Sequence, residues 1–153
     1  MRKFCAPGTE AELAASRAPQ KQFLFVYGTL RRKAGGRIHR LLARHGDLIG
    51  DATYQGRLYR IGYYPGVVPS NDPADVVRGE AYRLRNPNPV LRRLDQYEAC
   101  GPAFRQPAEY VRLNQEIHLG SGQSLSAWVY VYNRPVSGLR SMPDGDFFRI
   151  SDR

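Results

Sequence analysis

Apolar positions in this chain fall into short runs rather than long periodic stretches. Phe23-Leu24-Phe25-Val26-Tyr27 is continuously apolar, the pattern of a fully buried strand. It stops at Gly28-Thr29. The segment Gly36 to Gly46 switches period. Ile38, Leu41 and Leu42 take helical i, i+3, i+4 spacing, and Gly46 is a natural helix stop. From there to Leu84 the chain reads as extended, with strands predicted at Gly56–Ile61 and Val76–Leu84. A turn at Tyr63-Tyr64-Pro65-Gly66 lies between them. Asn88-Pro89 then opens a second helix running to about Ala99, with Pro89 suited to the first helical position. Two alternating strands follow, Tyr110–Leu119 and Leu125–Tyr132, joined as a hairpin through Gly120-Ser121-Gly122-Gln123. The tail from Asn133 is interrupted by Pro and Gly and reads as coil. About six strands and two principal helices, mostly hairpin-connected, predict an α+β fold with a curved or closed antiparallel-rich sheet.

Residues 1 to about 22 differ from this body. They are rich in Ala, Gln and Pro and lack aromatics after Phe4. Thr9-x-x-Glu12 is a possible capping box for a short helix through Ala15, ended before Pro19. We read the segment as a flexible N-terminal arm, and residues 23–153 as one domain. A chain of 153 residues suits one domain of this kind. Gly 15 and Pro 11 favour turns over long helices, which disfavours a coiled coil or helical bundle. No apolar run approaches the roughly 20 residues of a membrane helix. The basic start has no apolar core behind it, so no signal peptide is predicted. Cys5 and Cys100 form no framework or zinc ribbon, which favours a reducing, cytoplasmic setting. His39, His45 and His118 lack metal-ligand spacing, so no zinc site is expected.

Charge changes the picture most. Lys+Arg 23 against Asp+Glu 14 gives a net charge of +9. Arg31, Arg32, Lys33, Arg37, Arg40 and Arg44 precede the next acid, Asp47. Such an excess suits an anionic small substrate, an acidic partner or a nucleic acid.

Two places carry candidate chemistry. On the second helix, Val90, Leu91, Leu94 and Tyr97 form an apolar stripe at about 100° per residue. Arg92, Arg93 and Gln96 face away, and Asp95 lies at the flank. Glu98 falls inside the stripe. Burial favours the neutral acid, and a carboxyl tuned upward can take and return a proton near neutral pH. A buried salt bridge is the plainer role for it. The other place is Tyr27-Gly28-Thr29-Leu30, where a buried strand ends in glycine. Backbone amides there can turn outward to hold an anion or a developing oxyanion. An ordinary strand-to-helix turn has the same pattern.

Taken in order, these pieces resemble the gamma-glutamylcyclotransferase-like superfamily. The branch is that of gamma-glutamylamine cyclotransferase and the plant avirulence-induced proteins. The resemblance runs from Phe-Val-Tyr27-Gly28-Thr29-Leu30-Arg31 through Gly56-x-Leu58-Tyr59 and Tyr64-Pro65-Gly66. It continues in Gly79-Glu80-x-Tyr82, Leu94-Asp95-x-x-Glu98, Tyr110-x-Arg112 and Ala127-Trp128-Val129-Tyr130-Val131-Tyr132. It covers roughly residues 23 to 147. It implies a small distorted β-barrel with flanking helices. It also implies cyclisation of a γ-glutamyl group to 5-oxoproline with release of an amine. Glu98 would be the general acid/base, and Tyr27, Gly28, Thr29, Leu30 and Tyr110 the substrate-binding residues. No cofactor and no metal would be needed. A non-catalytic basic module that binds nucleic acid or an acidic partner is the alternative; no recognised nucleic-acid motif accompanies the charge.

Overall fold

A computed structural model of the chain describes residues 22–27, 37–61, 64–97, 108–143 and 145. Residues 1–21 of the predicted arm, the loop Gly28–Leu30, Arg31 to Lys33, Glu98 and both cysteines lie outside the described residues, whereas Gln22, also assigned to the arm, is described and belongs to a strand. The elements are β1 (Gln22–Val26), α1 (Arg37–His45), β2 (Gly46–Ile61), β3 (Tyr64–Pro69), β4 (Val76–Leu84), α2 (Pro87–Tyr97), β5 (Tyr110–Leu119), β6 (Ser124–Tyr132) and β7 (Arg140–Ser141).

The strands form one seven-stranded sheet that closes on itself. β1 pairs with β4, β4 with β2, and β2 with β3, all antiparallel. The ring is completed by two parallel contacts of a single residue pair each, Val67 with Val131 between β3 and β6, and Leu24 with Trp128 between β1 and β6. β5 lies outside the ring. It pairs with β6 along nearly its whole length and with Ala52, Thr53 and Tyr54 of β2. The expected antiparallel-rich barrel is therefore present, as a mixed barrel.

Four local expectations need correction. The predicted turn at Tyr63–Gly66 is, from Tyr64 onward, the start of β3. Pro65 and Gly66 lie in the strand, and Gly66 is needed for close packing. A Cβ there would stand 2.9 Å from the Tyr132 Cβ and 2.3 Å from the Ile61 Cδ1. β2 is longer than Gly56–Ile61 because it begins at Gly46, directly after α1. The helix at Asn88-Pro89 starts at Pro87. Pro87 takes the first position, and Pro89 still falls among the first four residues, whose N–H groups have no intrahelical partner. The tail contains the short strand β7, which pairs with Tyr59 and Arg60 of β2.

β1 shows why its sequence is continuously apolar. Phe25 and Tyr27 join one buried cluster with Tyr54, Leu58, Val77 and Val129 from the surrounding strands. Leu24 and Val26 face the other way. They pack with Leu42 of α1 and with Val90, Leu91 and Leu94 of α2. The strand is thus buried on both faces, between the barrel interior and the helical layer. β5 repeats the pattern in its first half, where Val111 and Leu113 join the first cluster while Tyr110 belongs to the second.

Candidate active site

The end of β1 is held by the aromatic side chain that follows it. Tyr27 is 9% exposed and reaches across the ring. Its hydroxyl donates to the Tyr130 carbonyl and accepts the Val67 N–H at 3.3 Å. These contacts fall on the β3–β6 seam, where the backbone register supplies one residue pair. A side-chain hydroxyl thus ties together three strands where main-chain pairing is sparse. Among the candidate substrate-binding residues, Tyr27 accordingly has a hydroxyl engaged within the barrel.

β4 makes room for this strand end. Gly79 lies so close to β1 that a Cβ would stand 2.2 Å from the Val26 carbonyl oxygen and 2.7 Å from the Phe25 ring. Its neighbour Glu80 is 2% exposed and stands opposite Val26 in the register.

The second candidate segment begins on α2. Val90, Leu91 and Leu94 are buried as the stripe predicts, and Arg92, Arg93 and Gln96 are exposed. Asp95 departs from the expectation of a flanking position, because its side chain is buried at 8% exposure. The Arg112 Nε donates to Asp95 Oδ1 at 2.9 Å, and Nη2 donates to Oδ2 at 3.3 Å. The Tyr130 hydroxyl donates to the same Oδ1 at 2.7 Å and lies 3.4 Å from the Leu91 carbonyl. The Arg112 guanidinium stacks 4.4 Å from the centre of the Trp128 ring. The Trp128 Nε1–H donates to the Gln22 side chain at 3.0 Å. A buried carboxylate is tolerated when a cation and further donors satisfy it, and Asp95 has both.

Tyr110 stands at the start of β5. Its buried hydroxyl donates to the Pro65 carbonyl at 2.7 Å, tying β5 to β3. Its ring meets Tyr132 edge-on at 5.6 Å and Tyr64 at 6.4 Å. Tyr64 donates to Glu109 at 2.6 Å. That bond, followed by partial burial, pushes the Tyr64 hydroxyl up to about 12. Arg134 lies 4.0 Å from the same carboxylate.

Of the candidate residues, Tyr27 and Tyr110 fall within the described structure, and both are buried. Gly28, Thr29, Leu30 and Glu98 lie outside it. Tyr130 connects the two segments, since its carbonyl holds Tyr27 and its hydroxyl holds Asp95. Neither Tyr130 nor Asp95 was singled out as a site residue by sequence. The available signal was phase. Arg112 shares a strand face with Tyr110, on the side that α2 covers, and a buried arginine there demands an acid. Among the described residues, no three His, Cys, Asp or Glu side chains converge as a metal site. No helix among them is long and apolar enough to cross a membrane.

Residues 24–149 match the family model described as gamma-glutamyl cyclotransferase, AIG2-like. The chain belongs to this family. It is 38% identical over 125 residues to the gamma-glutamylcyclotransferase family protein YtfP of Escherichia coli K12, a match covering 81% of this chain and 94% of that protein. The solution structure of the Escherichia coli ytfP protein superposes with a TM-score of 0.58 at 35% identity, over 85% of this chain and 99% of that one. YkqA from Bacillus subtilis gives a TM-score of 0.65 at 26% identity; the match covers 87% of this chain and 43% of that larger protein. An AIG2-like protein from Mus musculus shares the fold, with a TM-score of 0.61 at 24% identity over 80% of this chain and 86% of that one. The mixed barrel with flanking helices is thus the family fold.

Proposed function

We propose that this protein is a γ-glutamyl cyclotransferase that closes a γ-glutamyl group to 5-oxoproline and releases an amine, with Glu98 as general acid/base. The observation that carries the reading is the family match over residues 24–149. It spans both Tyr27-Gly28-Thr29-Leu30 and Leu94-Asp95-x-x-Glu98. The anchoring of Tyr27 and Asp95 to the same residue, Tyr130, supports it further. Tyr27 and Asp95, far apart in sequence, thereby meet one residue of β6.

The chemistry follows from the substrate. Its α-ammonium has a pKa of about 8 and must lose a proton to become nucleophilic. Glu98 takes that proton. The free amine attacks the γ-carbonyl of the same molecule, closing a five-membered ring. Holding the glutamyl chain folded removes most of the entropic barrier. Negative charge gathers on the carbonyl oxygen, and backbone amides of Gly28, Thr29 and Leu30 are suited to stabilise it or to hold the α-carboxylate. Glu98 returns its proton to the leaving amine as the C–N bond breaks. Tyr27 and Tyr110 complete the proposed substrate-binding set, carried over from the family resemblance; the Tyr110 hydroxyl is held by the Pro65 carbonyl. Two isolated cysteines support a cytoplasmic setting. The reading is tested by assaying 5-oxoproline release across a panel of γ-glutamyl amines and peptides. Production from at least one supports it, and none from any member argues against it.

A further inference from the structure

We infer that Tyr130 is a positioning residue for the proposed reaction, tying Tyr27 at the end of β1 to Asp95 in the last turns of α2 through its carbonyl and its hydroxyl. The inference rests on the proposed cyclotransferase reading for the role of Glu98. The physical argument concerns α2 itself.

Tyr130 is 3% exposed in the layer between barrel and helices. Phenylalanine would fill that volume equally well, so the hydroxyl has to be explained by its partners. It donates to Asp95 Oδ1 at 2.7 Å and lies 3.4 Å from the Leu91 carbonyl. Leu91 and Asp95 are four residues apart, the spacing of one helical hydrogen bond. The hydroxyl therefore sits against a complete turn at the end of α2. Arg112 holds the same carboxylate through two bonds from β5. Asp95 is thus fixed from two strands, and with it the rotation of α2 about its axis. Glu98, the proposed general acid/base, follows Asp95 by three residues in sequence. A small rotation of this turn would displace Asp95 and the end of α2. A misplacement of about 1 Å can cost roughly 100-fold in rate. On its other side, the Tyr130 carbonyl accepts the hydroxyl of Tyr27, the residue leading into Gly28. One residue of β6 therefore fixes the approach of both segments.

The test compares the wild-type protein with Tyr130→Phe, Asp95→Asn and Ile117→Val. Tyr130→Phe keeps the ring and the carbonyl, so the Tyr27 contact survives while the tie to α2 is lost. Asp95→Asn leaves Arg112 without its carboxylate, and its failure to fold would leave Tyr130→Phe to decide. Ile117→Val removes a methylene inside the barrel from a residue of 0% exposure, and controls for general loss of stability. Two quantities are read: amide hydrogen exchange at residues 94–97, and steady-state kinetics with a γ-glutamyl amine. In Tyr130→Phe, exchange in the last turn accelerates. kcat falls about 10- to 100-fold with KM within about twofold. In Ile117→Val, exchange there and kcat stay at wild-type values. Unchanged exchange in Tyr130→Phe overturns the inference whatever the activity. In an active wild type, unchanged kcat overturns it as well. A wild type that makes no 5-oxoproline, alongside accelerated exchange in Tyr130→Phe, would sink the cyclotransferase reading and leave the anchoring of α2 standing.

Discussion

Replacing Arg112 by methionine isolates the ion pair that anchors α2. Arg112 and Asp95 are 9% and 8% exposed, so solvent screens the pair little. Methionine keeps an apolar stem in place of the arginine's and loses both hydrogen bonds to Asp95, at 2.9 and 3.3 Å, together with the stacking on Trp128. Asp95 then keeps the Tyr130 hydroxyl but no guanidinium. Removing one partner of a buried pair costs about 3–5 kcal/mol. The stacking contributes about 0.5–1 kcal/mol, part of which is already counted in that figure. Against a total stability of about 5–15 kcal/mol for a small protein, this is a large fraction. At about 2–4 °C per kcal/mol for a chain of this size, the melting temperature should drop by roughly 6–20 °C. The assay is urea unfolding followed by far-UV circular dichroism, with the m-value checked for constancy. Asp95→Leu combined with Arg112→Met removes both charges and should recover most of the loss, because a buried pair and an apolar replacement are often close in energy. A cost below about 1 kcal/mol for Arg112→Met alone would refute the reasoning. The carboxylate would then be solvated, and α2 would be held by its apolar stripe.

The Tyr64 hydroxyl, raised to about 12 chiefly by its bond to Glu109, should keep its proton well past the ordinary tyrosine range. Because the folded state binds this proton more tightly than the unfolded chain, its contribution to stability is complete below about pH 10 and disappears as pH rises toward 12. Tyrosinate absorbance near 295 nm should show one fewer late-titrating group in Glu109→Gln than in the wild type; identical curves would contradict the assignment. Gly79→Ala should destabilise by about 1–3 kcal/mol or more, since its Cβ would meet the Val26 carbonyl oxygen at 2.2 Å. A wild-type melting curve for that variant would show that β1 and β4 have room to part. Deleting residues 1–21, which carry few large apolar side chains, should lower the melting temperature by no more than a few degrees; a larger drop would mean that the segment packs on the barrel.

Much of this architecture is legible in the sequence because burial and period are local signals. The run Phe23–Tyr27, the two alternating strands of the last hairpin and the stripe Val90-Leu91-Leu94 each carry their element directly. Closure of the ring was open to inference but its seams were not, since β3–β6 and β1–β6 meet at one pair each and leave no mark on either strand's pattern. β3 was hidden because Pro65 and Gly66 are turn residues by composition. In the structure Gly66 serves close approach to Tyr132. Asp95 was misassigned to a flank for a related reason. Helical phase alone puts it at the margin of the stripe, and it becomes interior through Arg112 and Tyr130, residues of strands that periodicity cannot bring to a particular helix. The candidate site was legible in sequence as two segments, with no residue to connect them. Tyr130 supplies the connection through its carbonyl and its hydroxyl, and an alternating strand pattern shows neither contact.

The most direct test of the central claim is the rate of 5-oxoproline release by Glu98→Gln relative to the wild type, on whichever γ-glutamyl amine the wild type turns over fastest. Glutamine keeps the shape of the side chain and cannot take the proton from the α-ammonium. Loss of a positioned general base lowers the rate by about 10²–10⁴-fold. The account predicts a fall of that size in a protein whose melting curve matches the wild type. A folded Glu98→Gln protein that releases 5-oxoproline at close to the wild-type rate would contradict it.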